Sequence, residues 1–119
     1  YNLSVMKSLP SEYIEKYFIE MKDSTSKKDM YKIKNEIKNM VELKKHDMLL
    51  EELPKNLDLI ICRNVVIYFK DEAKNELYKN FNSSLKTNGF LFVGNTEQLL
   101  NSNELGFKAT NVFFFEKIK

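Results

Sequence analysis

The sequence predicts an α/β fold: one strand–helix–strand unit with parallel strands, followed by an antiparallel hairpin at the C-terminal edge. Three observations carry that expectation. Residues 57–62 are almost continuously apolar, bounded by Pro54 and Asn56 before and Arg63-Asn64 after, the pattern of a strand buried on both faces of a parallel sheet. Behind them, Ala73, Leu77, Phe81 and Leu85 recur every fourth residue with Tyr78 beside them, the stripe of an amphipathic helix. A second apolar run, Phe90 to Val93, follows Asn88-Gly89, and the apolar segments flanking Thr110-Asn111 read as hairpin strands.

Taken in order, Pro10 sits where a helix can start, and Ile14, Tyr17, Phe18 and Met21 follow at helical spacing, so residues 10–22 are expected to be helical. Residues 23–29 are small and polar and read as a loop. Tyr31 and Ile33 alternate with lysines as a short strand, residues 35–40 fit a turn or a helical turn, and Val41 with Leu43 suggests a strand over 41–46. Asp71 is placed as the N-cap of the central helix, which Asn88-Gly89 should end. The crossover between the parallel strands is expected to be right-handed. A short helix is expected over 96–100, then strands over 107–109 and 112–118.

Composition narrows the function classes. The chain has 119 residues, enough for one domain and one continuous core. Charged residues make up 30 % with a net charge of +2, and the lysines are dispersed, which argues against a nucleic-acid surface. The longest apolar runs fall far short of the roughly 20 residues that cross a bilayer, so no membrane insertion is expected. A lone cysteine, Cys62, offers neither an intramolecular disulfide nor a metal quartet, and a reducing cytoplasm is the simplest setting. No metal site is expected. The three glycines, Gly89, Gly94 and Gly106, leave nothing from which to build a glycine-rich phosphate loop earlier in the chain.

Arg63 is the single arginine among nineteen lysines and arginines. Its planar fork of donors matches a carboxylate or phosphate at two points, as lysine cannot. Ligands of open α/β sheets bind beyond the carboxyl ends of the strands, where Arg63 and Asn64 follow the strand 57–62 and Asp47 and Met48 follow the strand 41–46. The same residues also suit plainer roles, Asp47 capping a turn and Arg63 pairing with a surface glutamate. Tyr68 offers either a hydroxyl for orienting a substrate or a core ring. His46 reads as structural or surface, Cys62 as a small hydrophobe, and Glu97 as a charge at a helix N-terminus.

The segments "DLIICRNVVIYF", "LKTNGFLFVGNTEQL" and "NVFFFEK", together with the upstream "LPSEYIEKYF" and "VELKKHDML", resemble the C-terminal part of the CheR-type chemotaxis protein methyltransferases. The likeness runs from about Leu9 onward, and Cys62-Arg63-Asn64-Val65 with Ile67-Tyr68-Phe69 is its most specific part. It implies a partial Rossmann-like sheet of the kind that binds S-adenosylmethionine, with its first strands and cofactor loop upstream of Tyr1. It also implies methyl transfer to glutamate side chains on the cytoplasmic helices of chemoreceptors, with S-adenosylhomocysteine as product.

By the same resemblance, Asp47, Met48, Asn64 and Val65 fall at cofactor-binding positions, Asp47 replacing an asparagine that reads the adenine amino group. Arg63 and Tyr68 fall beside the methyl-transfer site. Residues 23–40 fall where the family carries a small β-subdomain; this stretch has no glycine, so no grip on a receptor's tail peptide is expected. Residues 1–119 are then the C-terminal segment of the catalytic domain, and the isolated chain is expected to be inactive. The strand 57–62 would present an open apolar edge, covered by dimerisation, by strand exchange or by residues 41–46 moving against it. The alternative is a non-enzymatic remnant of the fold that acts in partner binding or regulation.

Overall fold

The computed structural model describes residues 1–22, 29–97 and 99–119, in two compact units, Tyr1–Lys45 and His46–Lys119.

In the first unit, α1 (Leu3–Met6) is capped by Asn2, whose side chain accepts from the Val5 amide at 3.1 Å. Helix α2 covers Ser11–Tyr17 only, because from Phe18 the chain extends into β1 (Phe18–Met21) and pairs antiparallel with β2 (Met30–Ile33). The expected helix 10–22 is therefore cut short: ladder pairing of Phe18 with Ile33 and an edge contact of Phe18 with the Tyr1 ring at 5.9 Å outweigh helical spacing. The expected strand at Tyr31–Ile33 is present, and residues 35–40 open with a single helical turn, α3 (Asn35–Lys38). Most of the polar loop expected over 23–29 lies outside the described residues. No strand forms over 41–46; Val41 and Leu43 are exposed, 61 % and 92 %, so alternation there marks no buried face.

The second unit is a four-stranded mixed sheet, order β3-β4-β6-β5, carrying helix α4 (Asp71–Ser84). Strand β3 (Leu57–Cys62) runs parallel to β4 (Leu85–Val93), and the hairpin β5 (Phe107–Asn111) and β6 (Phe114–Lys117) adds to β4 antiparallel. Leu77, Tyr78 and Phe81 of α4 join Leu91, Val93, Phe107 and Phe115 in one buried cluster.

Local differences have local causes. The sheet does not bury both faces of β3: Leu59 and Ile61 are 48 % and 63 % exposed, and among the described residues β3 pairs only with β4, not with 41–46. Lys70 rather than Asp71 is the N-cap of α4, and Asp71 opens its first turn with an ion pair to Lys74 at 3.4 Å. The helix ends at Ser84, not at Asn88-Gly89. The Lys117 ammonium donates to the Asn82 and Leu85 carbonyls at 2.8 Å, filling helix-end acceptors. Asn88-Gly89 instead lies in a register break within β4, where pairing jumps from Leu57↔Leu85 to Leu59↔Phe90 and Asn88 has φ +64°. The hairpin turns at Val112-Phe113, two residues beyond Thr110-Asn111, after a register shift between Ala109 and Asn111. No helix forms over the described part of 96–100; Gln98 lies outside the described residues.

Candidate functional site

The parallel pair β3 and β4 ends on one rim. Past β3 the chain turns through Arg63 and Asn64, the latter in the left-handed region at φ +59°, into a short 3₁₀ turn, Val66–Tyr68. Past β4 it turns at Gly94 and returns through Asn95 and Glu97.

Glu97 joins the two. One carboxylate oxygen, Oε1, accepts from the amides of Val65 at 2.8 Å and Val66 at 3.0 Å; the other, Oε2, accepts from Asn64 at 2.9 Å and Gly94 at 2.7 Å. Three successive N–H groups facing one anion form a backbone nest, and here the chain supplies the anion itself. Glu97 is 4 % exposed. Burial pushes its carboxyl up from the ordinary value of 4.5, but the four amide donors outweigh burial and hold it below that value. Its charge is felt by its neighbours: burial first, then Glu97, pushes the Cys62 thiol up to about 11 and the Tyr78 phenol up to about 12. Cys62 is thus a neutral, buried small hydrophobe.

At the rim surface, the Arg63 guanidinium lies over the Phe92 ring, 4.9 Å from its centroid, and Phe92 stacks on Phe114 at 4.4 Å with a 5° interplanar angle. One terminal nitrogen of Arg63 donates to Asn95 Oδ1 at 3.3 Å, and among the described residues no carboxylate pairs with it. The reading of Arg63 as one half of a surface ion pair is not met. Tyr68 is 82 % exposed, so its ring is not in the core and its hydroxyl faces solvent. Asn64 and Val65 are also exposed on this turn.

Asp47 behaves as a turn cap. Its Oδ1 accepts from the Leu49 and Leu50 amides at 3.0 and 3.1 Å, and its own amide donates to Glu51 Oε1 at 3.1 Å. Met48 is half-buried against the core cluster, and His46 Nδ1 stands 3.3 Å from Glu51 Oε2. The structure therefore groups Arg63, Asn64, Val65 and Tyr68 on the turn after β3, while the hydrogen bonds of Asp47 stay within its own turn. Beside the rim, a cavity of about 700 Å³ opens between the first half of α4 and the segment after β4, with Lys74, Tyr78 and Asn95 in its wall. Among the described residues no cluster of histidine, cysteine and carboxylate side chains suits a metal, and no helix is long and apolar enough to cross a membrane.

Glu97 escaped the sequence reading because its helix-start role was inferred from local spacing. The available signal was Gly94 three residues earlier: a Cβ there would stand 2.7 Å from Glu97 Oε2 and 2.8 Å from Asn64 Oδ1, closer than side chains approach.

A mixed α/β sheet whose exposed polar turn follows a parallel strand defines the class of strand-end ligand-binding folds. Sequence comparison makes the class specific. A family model described as the CheR methyltransferase, SAM binding domain, matches residues 1–113, and the chain belongs to that family. It is 38 % identical over 117 residues to a chemotaxis protein methyltransferase of Listeria innocua, covering 98 % of this chain and 42 % of the relative. The protein of the same name from Listeria monocytogenes is 41 % identical over 91 residues, 76 % of this chain and 35 % of the relative. That of Salmonella typhimurium is 30 % identical over 122 residues, all of this chain and 42 % of the relative. The chain thus spans less than half the length of these relatives, and the family's description makes S-adenosylmethionine its cofactor.

Proposed function

We propose that the protein transfers a methyl group from S-adenosylmethionine to glutamate side chains on the cytoplasmic helices of chemoreceptors, in chemotactic adaptation in the cytoplasm. In this reading residues 1–119 are the C-terminal segment of the catalytic domain, with region 23–40 in its small β-subdomain, and the segment alone is inactive. The observation that carries it is the exposed Arg63 guanidinium, lying over the Phe92 ring with no carboxylate partner among the described residues.

The Asn64 side chain fits the cofactor's amino-acid end: its amide oxygen can accept from the amine while its NH₂ donates to the carboxylate. Val65 flanks that end, while Asp47, through the carboxylate oxygen its cap leaves over, and Met48 are assigned to the adenine. The cofactor supplies an electrophilic methyl on a sulfonium. A glutamate acceptor is ionised at neutral pH and needs no general base, so the chain's work is alignment. Arg63 and the Tyr68 hydroxyl are assigned to hold the acceptor oxygen on line, and both face solvent, where a receptor helix arrives.

The test is incubation of the full-length protein with methyl-labelled cofactor and receptor-bearing membranes. A carboxyl methyl ester is expected, and alkali releases its label as methanol. Label that survives alkali, or no label at all, contradicts the reading.

A further inference from the structure

The turn that carries the proposed site is held by a buried side chain, Glu97, whose carboxylate is occupied by four backbone amides. Asn64 sits in left-handed backbone, a conformation that costs free energy without local compensation, and the next two amides, of Val65 and Val66, point the same way as its own. Unpaired, three convergent donors in a buried pocket would either draw in an external anion or let the turn relax. The Glu97 carboxylate meets all three and adds the Gly94 amide, so each oxygen carries two donors and the ends of β3 and β4 are fixed to each other. Gly94 has no Cβ where one would collide with this carboxylate.

We infer that Glu97 is a positioning residue: its carboxylate permanently fills the backbone nest of the turn and sets the direction in which Arg63 and Asn64 face the ligand. This rests on the methyl-transfer reading only for its effect on rate; the effect on the turn does not depend on it. One consequence bears on recognition. Because the nest is filled from within, its amides are closed to a carboxylate from outside, and the side chain of Arg63 is left as the two-point anion donor of the rim.

A merely structural Glu97 and a positioning Glu97 make different predictions for Glu97→Gln. The amide is nearly the same size, but it has one acceptor oxygen and turns an NH₂ donor toward two of the four amides. If Glu97 positions the turn, hydrogen exchange at Asn64, Val65, Val66 and Gly94 accelerates at least about tenfold while Leu91 and Phe107 in the core change far less. If it only adds to global stability, all the slow amides accelerate together, and the inference fails.

The second readout is kinetic. In the full-length enzyme, Glu97→Gln is expected to lower kcat by about tenfold or more at a temperature where circular dichroism shows it folded, since misplacement of aligned groups is costly. Gly94→Ala, which crowds the same carboxylate, should give the same pattern of exchange. A wild-type enzyme without activity would overturn the methyl-transfer reading but leave the exchange comparison decisive. An active wild type with a folded, equally active Glu97→Gln variant and an unchanged turn would overturn the inference alone.

Discussion

Arg63 and Glu97 divide the electrostatics of the rim between them. Glu97 is negative, buried and fully engaged with backbone donors; Arg63 is positive, exposed and supported from below by an aromatic stack. The planar fork of a guanidinium can meet a carboxylate at two points while its carbon rests over a ring. Replacement by lysine retains the charge but not the fork or the stacking. Arg63→Lys is therefore expected to reduce kcat/KM for methyl transfer by about tenfold to a hundredfold, a loss of about 1.4 to 2.7 kcal/mol of transition-state binding. Steady-state rates with the full-length enzyme check this, and an unchanged kcat/KM would show that Arg63 only decorates the surface.

At the scale of elements, the site depends on α4 and the hairpin bracing β4 so that its end and that of β3 stay in register. Leu77 is fully buried on α4, among Tyr78, Phe81, Leu91 and Phe107 in the same cluster. Leu77→Ala is expected to cost about 2 to 5 kcal/mol of unfolding free energy, read from denaturant titration; a cost below about 0.5 kcal/mol would mean the helix is not part of the core. The α4 stripe was legible in the sequence because its i, i+4 spacing coincides with a real packing face. β3 and the C-terminal hairpin were legible for the same kind of reason, as apolar runs bounded by turn residues.

What misled were residues whose local signal was overruled by distant partners. Phe18 continues a helical spacing but pairs with Ile33; Asn88-Gly89 looks like a helix stop but serves a register break against Leu57. Val41 and Leu43 alternate like a strand, yet no sheet partner lies beside them among the described residues. Within the site, Arg63, Asn64 and Tyr68 stood out by type and place. Glu97 did not, because a carboxylate bonded to backbone amides more than thirty positions away leaves no periodic trace.

For the molecule as a whole, the buried carboxylate ties stability to pH. The folded value of Glu97 is lowered, so its contribution is complete above the ordinary 4.5 and is lost as pH falls from there through the lowered value. Cys62 from β3 and Tyr78 from α4 face the same charge and are neutral in that acidic window. Unfolding free energies of wild type and Glu97→Gln are thus expected to converge on acidification below 4.5 and to differ most near neutrality; parallel curves would contradict this. At the alkaline end the sign reverses. The folded thiol keeps its proton up to about 11 whereas an unfolded one releases it near 9.0, so stability falls as pH rises across that interval.

The central claim is that the turn after β3 receives the cofactor's amino-acid end, and calorimetric titration of the full-length protein with S-adenosylhomocysteine tests it most directly. Asn64→Gly is the informative variant, since glycine accepts the left-handed backbone at φ +59° and only the amide side chain is lost. The account predicts binding near micromolar, about 8 kcal/mol, for the wild type and weakening of about tenfold in the variant. No heat with the wild type, or equal affinity in the two proteins, would contradict it.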